Sequence, residues 1–159
     1  MLLLEPLPAY QTLRYKIAWV NTRGKDLSEI SAFLEQNAYP RLNMGVFIAE
    51  HLSENNAAEL PSLDVSYILT EKIKKESRIL EGWAQPLICL NNLGILLEPE
   101  LGLHPSNILK DISKNIFLII LWEYFYDEPG IFHWDNQKQT YRLDFSDIGI
   151  KKIPFKDEI

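Results

Sequence analysis

Cysteine is nearly absent: Cys89 is the single one in 159 residues. An intramolecular disulfide is therefore impossible, and a cysteine-rich zinc site is excluded. Its setting, Leu87-Ile-Cys-Leu90, predicts a buried thiol that behaves as a small hydrophobe. Long apolar runs are missing too. The longest, Ile116 to Trp122, is about a third of a membrane span. Met1 to Leu4 are apolar but lack a basic start and soon meet Glu5, Pro6 and Pro8, so no secretory signal is predicted. Positive charge is short: 16 Lys and Arg face 22 Asp and Glu, a formal charge of −6. Broad nucleic-acid affinity needs phosphate neutralisation, which this balance argues against. No repeat, low-complexity tract or second-domain linker interrupts the chain. These absences predict a soluble cytoplasmic protein with no membrane segment.

What is present is one domain's worth of ordered pattern, since 47% of the residues are hydrophobic, enough for a substantial core. Residues 1–13 read as an N-terminal arm broken by prolines, 14–150 as a single α/β domain, and 151–159 as a tail or edge element. Arg14 to Val20 reads as the first strand. Leu27, Ile30, Phe33 and Leu34 have amphipathic helical spacing, with Asp26 placed to cap the helix. Arg41 to Met44 predicts a brief strand, Val46 to Asn56 a helix, and Ser66 to Leu80 another, with Ile79 on its apolar side. Leu87–Leu90 and Phe117–Trp122 do not alternate, as expected of parallel strands covered on both faces. Pro105 to Ser113 predicts a short helix, and Thr140 to Phe145 an outer strand. The alternation favours a three-layer α/β domain with a mostly parallel sheet. On that topology Thr22–Asp26, Asn91–Gly94 and Trp122–Tyr126 are expected to converge at one sheet edge.

The segment Lys16 to Asp26 places a polar loop between strand and helix, where a nucleotide-binding protein carries its phosphate loop. It keeps Gly24-Lys25 of the G-x-x-x-x-G-K-[ST] motif. Trp19 stands at the first glycine, and Asp26 replaces the magnesium-binding hydroxyl. A carboxylate there repels a triphosphate, so the motif reads as decayed or repurposed.

With this loop, Leu42-Asn-Met-Gly45 and the stretch Asn91 to Ser113, the chain resembles the small P-loop accessory protein of BREX anti-phage systems. That protein is a P-loop ATPase domain of the additional-strand type, and the likeness spans residues 14 to 145, more closely in the second half. The resemblance implies a degenerate P-loop NTPase-like fold, with Lys25 at the phosphate-contacting lysine and Asn91-Asn92 at the Walker B acids. Asparagine lacks the carboxylate charge suited to magnesium or water polarisation. The expected relic pocket is therefore Thr22, Gly24, Lys25, Asp26, Asn91 and Asn92, with no catalytic residue, cofactor or metal. For Lys25 a solvated helix-start lysine, and for Asn91 and Asn92 an ordinary turn, remain the alternatives.

His51, His104 and His133 have no compact metal spacing. Tyr124, Phe125, Tyr126, Phe132 and Trp134 cluster in sequence and suggest a partner-binding surface, against satellite-core packing. The leading expectation is a non-catalytic assembly or adaptor protein of a phage-defence complex, bound to itself or to other defence proteins. Two alternatives stand beside it. One is an atypical ATPase whose missing acids come from a partner subunit or from outside the usual motifs. The other is a small nucleic-acid adaptor using the local basic face around Arg14, Arg23, Lys25 and Arg41, in an amino-terminal part that Lys16 also makes basic.

Overall fold

In β4 (Phe117–Trp122) every residue is buried, so both faces of the strand are covered. The cause lies in its neighbours in a five-stranded sheet of order β2-β3-β4-β1-β8, in which every pair is parallel. The other strands are β1 (Ile17–Asn21), β2 (Arg41–Asn43), β3 (Leu87–Asn91) and β8 (Lys151–Lys152). The structure is a computed structural model and describes residues 12–54, 62–134 and 141–154. Most of the expected N-terminal arm, Asn55 and Asn56, Thr140 and residues 155–159 lie outside the described residues.

Strand pleating sends alternate side chains to opposite layers. Ala18 and Val20 meet Ile30 and Leu34 of helix α1 (Leu27–Gln36) on one face. Ile17 and Trp19 pack on the other with α2 (Met44–Glu54), α3 (Ser62–Glu76) and α4 (Pro105–Ile112). The chain is thus α/β with a parallel sheet between helices. On the α1 face Cys89 is fully buried, and burial pushes its thiol up to about 12, against a smaller opposing effect of Arg41. It is an inert core group.

Three expectations need correction. The α3 helix ends at Glu76, because Arg78 and Leu87 exchange backbone hydrogen bonds at 3.1 and 2.9 Å and draw the chain out of the helix. Ile79 is left 64% exposed and is not on an apolar helix face. The strand expected near Thr140–Phe145 is β7 (Arg142–Asp144), and it does not border the main sheet. It closes a separate antiparallel meander with β5 (Phe125–Asp127) and β6 (Ile131–His133). Within the segment expected to be a tail or edge element, Lys151–Lys152 form β8, which pairs with β1. Finally, Lys16 contributes nothing to a basic surface: it is 4% exposed and its ammonium donates to the Lys114 carbonyl at 2.8 Å. Burial lowers its pKa.

Among the described residues, no helix is long and apolar enough to cross a membrane.

Candidate functional site

The loop after β1 is short because the strand itself occupies the start of the motif frame. Trp19, Val20 and Asn21 are in ladder register with Ile120, Leu121 and Trp122. Trp19, at the first-glycine position, is therefore a strand residue, 4% exposed, with its ring 4.3 Å from Tyr126 and 5.4 Å from Phe132. Beyond Asn21 the chain makes a tight turn in which the Lys25 N–H donates to the Thr22 carbonyl at 3.1 Å. Gly24 has φ +72°, a left-handed conformation that glycine adopts freely. The turn accounts for this glycine without any phosphate.

Several amides that a phosphate cradle would use are committed within the protein. Thr22 N–H donates to Trp122 O at 2.8 Å, and Arg23 N–H to Asn21 Oδ1 at 3.0 Å. Asp26 Oδ1 accepts the Ser28 amide at 2.9 Å and the Ser28 hydroxyl at 2.6 Å, capping α1 as expected. The chain's own carboxylate thus fills the place where a helix N-terminus attracts an anion.

This cap titrates. The Ser28 hydroxyl and then its amide hold Asp26 below the ordinary aspartate value, and Ser146 does the same for Asp144. A pKa lower in the folded than the unfolded chain stabilises the fold above the unfolded value. That contribution is lost as pH falls through the folded value. Asn caps without ionising, so Asp26→Asn/Asp144→Asn is expected to lose less stability than the parent between neutral pH and about pH 3. Urea midpoints across that range measure the difference; parallel acid limbs would count against the assignment.

Three expected loops do converge. A cleft of about 420 Å³ opens at the C-terminal ends of the strands, on the α1 face, lined by Thr22, Asn43, Asn91, Asn92 and Glu123. Leu27, Ile30 and Leu121 supply its apolar walls, with Ser31 and Arg41 at the α1–β2 side. Gly24, Lys25 and Asp26 do not line it. Register explains the arrangement: Asn43 pairs with Asn91, and Leu90 with Ile120, so one pleat face carries Asn43, Asn91 and Leu121 in a row. Glu123 continues that row just past β4.

The two asparagine–glycine segments have structural work of their own. Asn43 Oδ1 accepts the Val46 amide of α2 at 3.0 Å and the Asn92 side-chain amide at 3.1 Å. Asn92 is left-handed, with φ 57°, and a Cβ on Gly45 would stand 2.1 Å from its Nδ2. A Cβ on Gly94 would stand 2.3 Å from the Trp134 indole. These glycines permit the loop after β3 to seat against α2 and the meander. Asn91 Oδ1 is buried without a hydrogen-bond partner among the described residues.

No protein-family model, curated protein or solved structure matches the chain.

The aromatic group divides under inspection. Phe132 is fully buried and belongs to the core, so its assignment to an interaction surface is corrected. Its ring lies 5.5 Å from Trp122, 4.9 Å from Tyr126 and 5.9 Å from Phe145. Trp134 is half-buried beside Gly94, while Tyr126 is half-buried against Trp19. Burial, with a smaller effect of Glu128, pushes the Tyr126 hydroxyl up to about 12. Phe125 lies 4.2 Å beneath the Arg23 guanidinium. Tyr124, 40% exposed, presents the most surface.

The basic residues also fail to form one face. Arg14 precedes β1 and sits over Tyr15, whereas Arg23 comes after the same strand. Arg41 reaches Ser31 Oγ from β2. Glu123 lies within the Trp122–Tyr126 segment expected at this edge, but sequence reading did not single it out as a site residue.

Among the described residues, no group of three or more His, Cys, Asp or Glu could hold a metal ion.

Proposed function

We propose that this protein is a non-catalytic, degenerate P-loop-like assembly element of a prokaryotic phage-defence complex, with itself or another defence protein as partner. The observation that carries the non-catalytic part is the commitment of the Thr22, Arg23, Lys25 and Ser28 amides to acceptors within the chain. Phosphate binding needs those donors turned towards the ligand. The P-loop-like part is supported by β4, an additional strand between β1, the phosphate-loop equivalent, and β3, the Walker B equivalent. Asn91 stands at the end of β3 where the metal-binding acid belongs. The defence setting rests on the sequence resemblance across residues 14 to 145.

Titration with Mg-ATP by calorimetry is expected to give no heat and no thermal stabilisation. Native mass measurement and copurification with neighbouring gene products are expected to show an assembly. Micromolar ATP binding would overturn the loop reading, and a strictly monomeric protein with no partner in its native cells would overturn the assembly reading.

One observation favours a second reading. Glu123 brings a carboxylate into the cleft from β4, outside the usual motif, which suits an atypical ATPase. ATP turnover abolished in a folded Lys25→Ala variant would establish that reading instead.

A further inference from the structure

The cleft at the strand ends carries two opposite charges that do not meet. Arg41 and Glu123 both line it, and neither forms an ion pair among the described residues. Register keeps them apart. Asn43 pairs with Asn91, and Leu90 with Ile120, so Arg41 stands two residues before the row of Asn43, Asn91 and Leu121. Glu123 stands two residues after that row, on the far side of β3. Two strand spacings of about 4.8 Å and four residues of about 3.3 Å set their Cα positions roughly 16 Å apart.

The groups around each charge extend its character. Asn91 Oδ1, on the strand between them, is a buried acceptor with no partner among the described residues. Thr22 follows Asn21, which pairs with Trp122, so its hydroxyl lines the recess on the Glu123 side. At the other end Arg41 Nη1 donates to Ser31 Oγ, which leaves the remaining donors of the planar guanidinium for a ligand. Leu27, Ile30 and Leu121 form the apolar wall of the same recess. Gly24, Lys25 and Asp26 stand outside it, so it is distinct from the phosphate-loop frame.

These ends match a dipolar molecule. A ligand of one charge would pair with Arg41 or with Glu123 and cover the other unpaired, at a desolvation cost. A molecule with an ammonium at one end and a carboxylate at the other answers both. The volume of about 420 Å³ is within the range of small-molecule sites. We propose that this cleft binds a free aliphatic α-amino acid as its zwitterion. The ammonium donates to the Glu123 carboxylate and to Asn91 Oδ1, and the ligand's carboxylate accepts from the Arg41 guanidinium. Its side chain lies on Leu27, Ile30 and Leu121. The inference goes beyond the assembly reading and does not depend on it.

The test titrates the full chain near neutral pH with L-leucine and two analogues. Leucinamide lacks the carboxylate, and isocaproate lacks the ammonium. The NMR signals of the Asn91 side-chain amide report occupancy. Leucine is expected to shift them saturably in the low-millimolar range, with each analogue roughly tenfold weaker or more. Glu123→Gln and Arg41→Gln, at exposed positions, are expected to keep the parent melting temperature and to weaken leucine by a similar factor. The pattern is the sharper check. Glu123→Gln is expected to close the gap between leucine and isocaproate, and Arg41→Gln the gap between leucine and leucinamide. No saturation with leucine, an equal response of the parent to either analogue, or gaps unchanged in the two variants would each overturn the proposal.

Discussion

Trp19→Gly, which restores the first glycine of the phosphate-loop frame, is expected to lose roughly 4 kcal/mol of stability and to gain no ATP binding. The ring it removes is 4% exposed and packs against Tyr126 and Phe132. Deleting a large buried aromatic costs about 3–5 kcal/mol, and glycine inside a strand adds roughly 0.5–1. Against a total stability of about 5–15 kcal/mol, most of the margin of a modest domain would be gone. No binding is gained, since Trp19 pairs with Ile120 in the ladder and its position is not part of the turn. Urea denaturation gives the first quantity and calorimetry the second. A variant as stable as the parent, or one that binds ATP, would show that the loop is nearer to a working cradle than its hydrogen bonds indicate.

Phe132→Ala should be nearly as damaging, by about 3–5 kcal/mol. Its side chain is fully buried where the meander meets the main sheet, in contact with Trp19, Trp122, Tyr126 and Phe145. The informative comparison is Tyr124→Ala, at a position 40% exposed, expected to alter stability by no more than about 0.5 kcal/mol. Thermal and denaturant melts of the two variants separate a core aromatic from a surface one. A mild Phe132→Ala would mean that the meander is not anchored through this ring.

How legible these roles were depends on where the determining contacts lie along the chain. The strands β3 and β4 announce themselves because four and six consecutive buried residues leave short apolar runs, of the length and composition that suit a doubly covered strand. The Asp26 cap was equally readable, since the hydrogen bonds that define it reach only to Ser28. Phe132 was not. Whether that ring faces solvent or core is decided by Trp19 and Trp122, brought beside it from different strands. The end of α3 was misplaced for a similar reason: Ile79 continues the helical spacing, but Arg78 is claimed by Leu87. At the site, the convergence of the loops after β1, β3 and β4 is a product of parallel topology. Glu123 became visible only when register laid Leu121 level with the asparagine row. Charge pattern misled in the same way, because Lys16 and Arg23 are drawn to a carbonyl and a ring that sequence spacing does not reveal.

The position of β1 in the sheet has a consequence for how the chain is made. Ile17 pairs with Leu118, a separation of 118 − 17 = 101 residues, and its other neighbour β8 comes later still. During synthesis the segment Ile17-Ala-Trp-Val20 leaves the ribosome long before either partner exists. At about 5–20 residues per second the wait is roughly 5–20 s. For that interval the nascent chain displays an apolar strand with both edges open, the form most prone to pair with a neighbouring chain. Its yield is expected to depend on holding chaperones and on elongation rate, a vulnerability set by strand order and independent of the stability of the finished fold.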